Sequence, residues 1–244
     1  MRDRPRGAAV MYQRWCDLLF LHWRYPADRI QVTLPPGLFV DTYEGHAYLG
    51  VVPFVMRDVR PRFLPPVPGL SNFLELNLRT YVHDAQGVPG VWFYSLDANQ
   101  RIAVEIARRL FHLPYEPARM TIRRSAETIT FASQRLGPYG GIGASTLSFR
   151  PYGAGPVALP GSLEFFLAER YRLYSSTPNG LRRGAVWHTP YPLHAVDVTA
   201  FDEELFVLNG FAPTGRLPDH AMYSPGVDVT IFPLERVNER AAQS

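Results

Sequence analysis

The sequence predicts one α+β domain in which antiparallel strands outnumber helices. Three observations predict this class. The 19 glycines and 23 prolines are spread over all 244 residues, as in proteins whose many short strands are joined by turns, and helical bundles rarely contain so much proline. Strict alternation of side chains indicates a strand at residues 72–83. A repeat of apolar residues at three- to four-residue spacing indicates a helix at residues 99–111.

Apolar runs and prolines predict the elements that precede the alternating strand. The proline-rich residues 61–69, from Pro61 to Gly69, are expected to form an extended surface loop that can border a pocket. Pro53 indicates an edge or a bulge in the strand that contains it. The predicted elements are a strand at residues 18–23, a short helical turn at residues 26–32 and a long apolar strand at residues 47–56.

The alternating strand has one apolar face and one polar face. A turn at residues 84–90, which contains Gly87 and Gly90, leads into a strand at residues 91–96, so a β-hairpin is expected. The apolar face comprises Leu74, Leu76, Leu78 and Val82, and the opposite face comprises Phe73, Glu75, Asn77, Arg79, Tyr81 and His83.

The second half of the chain contains two predicted helices. Asp97 or Asn99 can cap the helix at residues 99–111, and Pro114 ends it. A second helix is expected at residues 162–173, with Ser162 as its cap. The other predicted elements are a hairpin at residues 121–135 and strands at residues 184–188, 195–199 and 227–232. Residues 10–237 are expected to form the single domain, between flexible tails at residues 1–9 and 238–244.

Composition excludes several kinds of chemistry. All 25 basic residues are arginines, so Schiff-base catalysis, pyridoxal-phosphate anchoring and a phosphate-binding loop have no lysine to use. Cys16 is the only cysteine, which excludes an intrachain disulfide and fits a reducing cytoplasm. The seven histidines show no metal-ligand spacing, although His188, His194 and His220 can meet in space. We therefore expect no cofactor and no metal.

Charge and hydropathy also limit the partners. A net charge of +3 is small for this length, and no aromatic-basic motif accompanies the arginine pairs, so no nucleic-acid partner is expected. No apolar run is long enough for a signal core or a membrane span, so no membrane partner is expected either.

The polar face of the alternating strand is the best candidate for a site. Alternate residues lie about 6.6 Å apart along one face, so Glu75 and Arg79 are separated by about 13 Å and each needs a partner from elsewhere. An ordinary solvated face is the alternative interpretation, because antiparallel sheets commonly have one. Phe73 and Tyr81 at the two ends of the row favour a pocket lined by aromatic and polar groups.

Six segments carry a resemblance to a known family. They are LLFLHW at 18–23, LPPGL at 34–38, FLELNLRTY at 73–81, SLD at 95–97, LPY at 113–115 and ERY at 169–171. In these segments, which occur in the family's order and span nearly the whole chain, the sequence resembles the YqjF-like family of uncharacterised bacterial proteins.

A more distant resemblance is to acetoacetate decarboxylase. Asp97, the pair Ile102 and Ala103, Arg108 and Pro114 fit that enzyme's outline, while its paired lysines would fall at Tyr115 and Glu116. Glu75 resembles the acidic residue of the enzyme's site. The resemblance implies a curved antiparallel sheet that closes into a barrel or cone, with flanking helices and an interior pocket, and it implies that homo-oligomers can form.

In that setting we expect a pocket that binds a small organic molecule, with a carboxylate as one candidate. One alternative is a lyase or hydratase without a Schiff base, in which Glu75 and Tyr115 act as acid-base groups. Another is a protein that docks a partner on residues 61–69. The candidate ligand-binding residues are Phe73, Asn77, Arg79, Tyr81, Tyr94 and Arg108, with Arg79 or Arg108 as a carboxylate clamp.

Overall fold

The structure is a computed structural model that describes residues 3–237, and this range contains twelve strands and four helices. The strands are β1 (Met11–Tyr25), β2 (Leu38–Val40), β3 (Ala47–Pro61), β4 (Phe73–Asp84), β5 (Pro89–Ala98), β6 (Tyr115–Ser125), β7 (Thr128–Leu136), β8 (Ile142–Ala154), β9 (Arg172–Thr177), β10 (Gly180–His188), β11 (His194–Ala200) and β12 (His220–Arg236). The helices are α1 (Ala27–Gln31), α2 (Arg101–Phe111), α3 (Leu163–Ala168) and α4 (Glu204–Leu208).

Of the two predicted tails, only residues 3–9 lie within the described range. Residues 238–244 lie outside the described residues. Residues 3–9 contain no helix or strand, yet Ala9 is buried and the guanidinium of Arg4 lies 5.4 Å from the ring centre of Trp187. These two contacts attach the described part of the N-terminal segment to the domain.

The α+β class is confirmed, but the sheet is mixed rather than purely antiparallel. β5 pairs in parallel with β6 and with β9, and the other strand pairs are antiparallel. Helix α2 makes the first parallel pair possible, because it follows β5 and returns the chain to the start of β6. The predicted antiparallel pairing therefore holds for most of the sheet, with parallel pairs at β5.

The sheet closes on itself because β5 and β12 each pair with three strands. β5 pairs with β4, β6 and β9, while β12 pairs with β1, β10 and β11. The strands β5, β4, β3, β1, β12, β10 and β9 consequently form a closed ring, which we call the small ring. The strands are not spaced evenly around one axis, so the word barrel describes this arrangement only approximately.

Strand β4 lies between two hydrophobic cores. Leu76 and Leu78 are fully buried in one core, and Phe73 belongs to the other, which also contains the inward side chains of the small ring. Burying each leucine contributes about 1.5–3 kcal/mol relative to leaving it exposed. Glu75 lies on the same side of β4 as Phe73 and is only 2% exposed, so the alternative of a solvated polar face is excluded.

Two helix predictions need correction. Helix α2 is capped by Gln100, whose side-chain oxygen accepts a hydrogen bond from Ile102 N, and not by Asp97 or Asn99. Helix α3 begins after the predicted cap Ser162 but ends at Ala168, because the following residues pair as strand β9 instead of continuing the helix to residue 173.

No helix in residues 3–237 is both long enough and apolar enough to cross a membrane.

Candidate ligand-binding cavity

The small ring encloses a cavity of about 390 Å³. Its walls are mainly apolar, and helix α2 contributes Ala103, Ala107 and Phe111 to them. Three large hydrophobic residues of the lining are exposed and define what we call the mouth: Leu64 and Val67 from the loop at residues 61–69, and Ile106 from α2. The predicted loop therefore does border the cavity, at its open end.

Glu75 is placed inside this cavity by strand β4 and is paired with Tyr115. The Tyr115 hydroxyl donates a hydrogen bond of 2.8 Å to Oε2 of Glu75. A weaker contact of 3.5 Å joins Nδ2 of Asn77 to Oε1 of the same carboxyl group. All three residues line the cavity and are at least nine-tenths buried, so the pair faces the cavity and is screened from bulk water.

Burial sets the protonation of this pair. Loss of hydration raises the pKa of Glu75 from 4.5 to about 7, although the hydrogen bonds from Tyr115 and Asn77 oppose the rise. The pKa of Tyr115 is raised well above its usual value by burial and by the neighbouring carboxylate, so the phenol stays protonated. Glu75 is therefore close to half-ionised at neutral pH and can both accept and return a proton.

Arg79 supplies a buried positive charge to the same cavity. Its Nη2 donates to the Tyr81 hydroxyl at 3.3 Å and to the carbonyl oxygen of Leu167 in helix α3 at 3.2 Å. Nε of Arg79 is buried and has no hydrogen-bond partner in residues 3–237, and within that range no carboxylate forms an ion pair with the guanidinium. The Oδ1 atom of Asn77 is likewise buried without a partner. A charged donor and a neutral acceptor thus remain free along one wall.

Through Tyr81, Arg79 is connected to a chain of aromatic side chains that leads away from the cavity. The Tyr81 hydroxyl lies 2.8 Å from Nε2 of His22, and Nδ1 of His22 lies 3.3 Å from Nδ1 of His220. The chain ends at Glu164, whose carboxylate is 3.7 Å from Nε2 of His220. Burial lowers the pKa of His22 well below its usual value, and the charges of His220 and Arg79 lower it further, so His22 is neutral. No sequence motif indicated this chain.

The structure groups only part of the set predicted from the sequence. Five of the eight predicted residues line the cavity: Phe73, Glu75, Asn77, Arg79 and Tyr115. Tyr81 lies behind Arg79, as described above, and does not line the cavity.

Tyr94 and Arg108 also lie apart from the cavity, which corrects their grouping with Glu75. The register between β4 and β5 shifts by one residue next to Tyr94, and its hydroxyl bonds to Thr33 at 2.7 Å on the outside of the small ring. Arg108 donates a hydrogen bond of 2.6 Å to the backbone oxygen of Tyr115 and does not line this cavity; together with Tyr94 it lines a second pocket instead.

Two further arginines line the cavity and were missed. Arg170 is paired with Asp41 at 2.7 Å, while Nη1 of Arg172 donates to the carbonyl oxygen of Tyr171 at 2.8 Å. Their positions just after a short helix gave no periodic signal. Within the described residues, no three histidine, cysteine, aspartate or glutamate side chains are grouped closely enough to hold a metal ion.

Solved structures share this fold. An acetoacetate decarboxylase-like enzyme from Sphingomonas wittichii RW1 superposes with a TM-score of 0.64 at 14% identity, covering 95% of this chain and 94% of that one. Acetoacetate decarboxylase from Legionella pneumophila gives 0.63 at 15% identity, covering 98% and 93%. The enduracididine biosynthesis enzyme MppR, in complex with pyruvate, gives 0.62 at 14% identity, covering 94% and 91%. The chain thus has an acetoacetate decarboxylase-like fold.

The sequence places the chain within one family of this fold. Residues 12–228 match the DUF2071 family, described as an uncharacterized conserved protein, and the chain belongs to that family. The uncharacterized protein YqjF of Bacillus subtilis (strain 168) is 40% identical over 235 residues, which cover 95% of this chain and 94% of that protein. The resemblance seen in the sequence is confirmed.

Proposed function

We propose that this protein binds a small organic carboxylate in the cavity of the small ring. The observation that carries the proposal is the state of Arg79, a guanidinium that is 8% exposed, lines the cavity and has no ion-pair partner in residues 3–237. A buried charge without a counter-ion is costly, and the cost is removed when an anion binds. A carboxylate matches the planar donor geometry of arginine.

Two further observations support the same ligand. Asn77 lies two residues before Arg79, on the same face of β4. Its unpartnered Oδ1 can accept a hydrogen bond from a hydroxyl group of the ligand. The cavity volume of about 390 Å³ lies within the range of small-molecule sites. MppR, a structural neighbour, is named as a complex with pyruvate, which is itself a small carboxylate.

A thermal-shift screen tests the proposal. Carboxylic acids and their uncharged primary amides are compared as pairs on the wild-type protein, on Arg79→Gln and on the control Arg119→Gln, whose arginine is exposed and does not line the cavity. Ligand at 100 times its Kd stabilises the folded state by about 2.7 kcal/mol. We expect carboxylates, but not amides, to raise the melting temperature of the wild type and the control, and Arg79→Gln to abolish the rise. Equal shifts in Arg79→Gln and the wild type would refute the proposal.

The Glu75 and Tyr115 pair favours a second candidate function, an acid-base lyase or hydratase. Glu75 can take a proton from a bound substrate or water and return it, because its pKa is about 7. The Tyr115 hydroxyl can donate a hydrogen bond to an oxygen that gains negative charge. Covalent catalysis through an imine is excluded, since the chain contains no lysine.

Turnover separates the two candidates. Keto acids and unsaturated acids that bind in the screen are incubated with the wild type, Glu75→Gln and Tyr115→Phe, with Glu105→Gln, a half-buried residue of α2 outside the cavity, as the control. An enzyme of this kind should lose about 10²–10⁴-fold in rate with Glu75→Gln. Binding without turnover in the wild type would leave the protein as a binder and remove the second candidate.

A further inference from the structure

We infer that the ligand is an amphipathic acid, with its carboxylate at Arg79 and an apolar body that extends along the cavity to the mouth. The inference rests on the proposed function and names the class of ligand for that site. It depends on three features of the cavity: the nature of its walls, its length and the character of its open end.

Most of the wall area of the cavity is apolar. Strands β1, β3, β5 and β12 contribute Leu18, Val52, Phe54, Phe93, Leu96 and Ile231. Besides Glu75, Asn77 and Arg79 on β4, the polar lining residues are Gln13, Ser71, Tyr115, Arg170, Arg172 and Tyr191. Hydroxyl or amide groups spread along a ligand would lose water without gaining partners at the apolar walls, which costs free energy, whereas methylene groups gain it.

The cavity is also longer than a short acid requires. Phe73 and Arg79 both line it and are six residues apart on an extended strand, a distance of about 20 Å along β4. Phe73 follows the loop at the mouth, while Arg79 contacts helix α3 at the opposite end. An acid of two or three carbons bound at Arg79 would leave most of the apolar wall without contacts, so it would gain little dispersion energy.

The open end is apolar as well. Leu64, Val67 and Ile106 at the mouth are 56%, 47% and 41% exposed, although each is a large hydrophobic side chain. Ile102 and Leu110 continue the same row on α2 and are also exposed. Exposed apolar groups around an entrance indicate that an apolar molecule passes or rests there. The apolar body therefore has favourable contacts from Arg79 to the surface.

A chain-length series tests the inference. Calorimetric titration of the wild type with acetate, butyrate, hexanoate and octanoate should show an affinity that rises about fourfold for each added methylene group. The matched alcohol, octanol, should bind more weakly than octanoate. Arg79→Gln should reduce the affinity for octanoate to that for octanol, while Arg119→Gln should leave both unchanged.

A steric variant locates the apolar body. Ala107→Phe places a ring in the cavity from α2, and Ala195→Phe places the same ring on an exposed position of β11, away from the cavity, as a control. We expect Ala107→Phe to weaken octanoate at least tenfold and to affect acetate little, with no change in the control. If Ala107→Phe fails to fold, Val52→Phe on the facing strand β3 serves the same purpose.

The outcomes separate this inference from the proposed function. If acetate binds as tightly as octanoate, or tighter, the ligand class is wrong while carboxylate binding stands. If none of the acids binds the wild type, both the proposed function and the ligand class are refuted. If octanoate binds equally to the wild type and Ala107→Phe, the apolar body does not occupy this cavity.

Discussion

Tyr115 donates a 2.8 Å hydrogen bond to Glu75 although the two residues lie on strands that flank opposite edges of β5. Glu75 on β4 faces Ala98 in the antiparallel ladder, and Tyr115 on β6 faces Leu96 in the parallel one. The parallel pairing, which helix α2 makes possible, thus sets the distance between the carboxyl group of Glu75 and the phenol that donates to it.

The raised pKa of Glu75 makes folding stability depend on pH. Its folded-state pKa of about 7 lies above the ordinary 4.5, so the folded state binds the proton more tightly than the unfolded state. This contribution is present in full below pH 4.5 and is lost as the pH rises through 7, for a total of about 3 kcal/mol. We expect Glu75→Gln to remove this loss and to be more stable than the wild type at pH 8. Urea unfolding at pH 5 and pH 8 measures the difference.

The Glu105→Gln variant is the control, because it removes a half-buried carboxylate from α2 without reaching the cavity. Its stability should follow the wild type at both pH values. Parallel profiles for Glu75→Gln and the wild type would show that Glu75 titrates normally.

Removing the Tyr115 hydroxyl should raise the pKa of Glu75 further. The hydrogen bond favours the charged carboxylate, so in Tyr115→Phe the fall in stability should have its midpoint above pH 7. Tyr94→Phe removes a hydroxyl that bonds to Thr33 instead, and should leave the midpoint in place. Unfolding free energies measured across pH 5–9 locate both midpoints, and identical midpoints in the two variants would contradict the assignment.

His22 should destabilise the protein in acid. Its folded-state pKa is depressed below the ordinary 6.5, so the unfolded state binds more protons and stability is lost as the pH falls below 6.5. For one such group, the free energy of unfolding changes by at most about 1.4 kcal/mol per pH unit. In His22→Gln that change should disappear, so the variant should gain stability relative to the wild type between pH 6.5 and pH 4.5. A constant difference between the two would show that His22 is not neutral in the folded state.

The ion pair of Asp97 with Arg135 should be costly to break. Nε of Arg135 donates to Oδ1 of Asp97 at 2.9 Å, and both side chains are almost fully buried. Asp97→Asn should destabilise the fold by about 3–5 kcal/mol, because it leaves a buried guanidinium uncompensated. Asp197→Asn breaks an exposed pair with Arg150 and should cost less than about 1 kcal/mol. Similar losses in the two variants, measured by urea unfolding, would contradict this difference.

Gly90 keeps the small ring closed at the junction of β5 and β9. A Cβ atom there would lie 2.8 Å from the backbone oxygen of Arg172 and 2.7 Å from the Tyr174 ring. Gly184 has a contact of the same length, but with the end of the Leu234 side chain, which can move. We expect Gly90→Ala to cost about 2 kcal/mol and Gly184→Ala clearly less, as measured by thermal unfolding. Equal costs would show that β9 can shift away from β5.

Sequence patterns predicted the strands well where the pattern is local. The alternation in residues 72–83 located β4, and the cap Ser162 located the start of α3. The end of α3 was missed because the strand pairing of β9 overrides a helical repeat that continues past Ala168. The parallel pairs of β5 depend on contacts between distant segments, for which a single sequence carries no periodic signal.

The part of the candidate site that lies on one strand was also predicted from the local pattern. One strand face supplied Phe73, Glu75, Asn77 and Arg79, since alternation alone assigns them to a common side. Tyr115 was suggested only by the resemblance to acetoacetate decarboxylase. Tyr94 was misplaced because a one-residue register shift turns its side chain outward, and such a shift leaves no trace in the composition of the strand.

The double burial of β4 has a consequence for how this fold can diversify. The leucines on one side of the strand pack in a core that does not line the cavity. The strand is therefore held in place without the side chains on its opposite face. New side chains at positions 75, 77 and 79 can then change what the hollow accepts while the scaffold persists. A library randomised at these three positions should yield a high proportion of folded proteins with altered ligand preference.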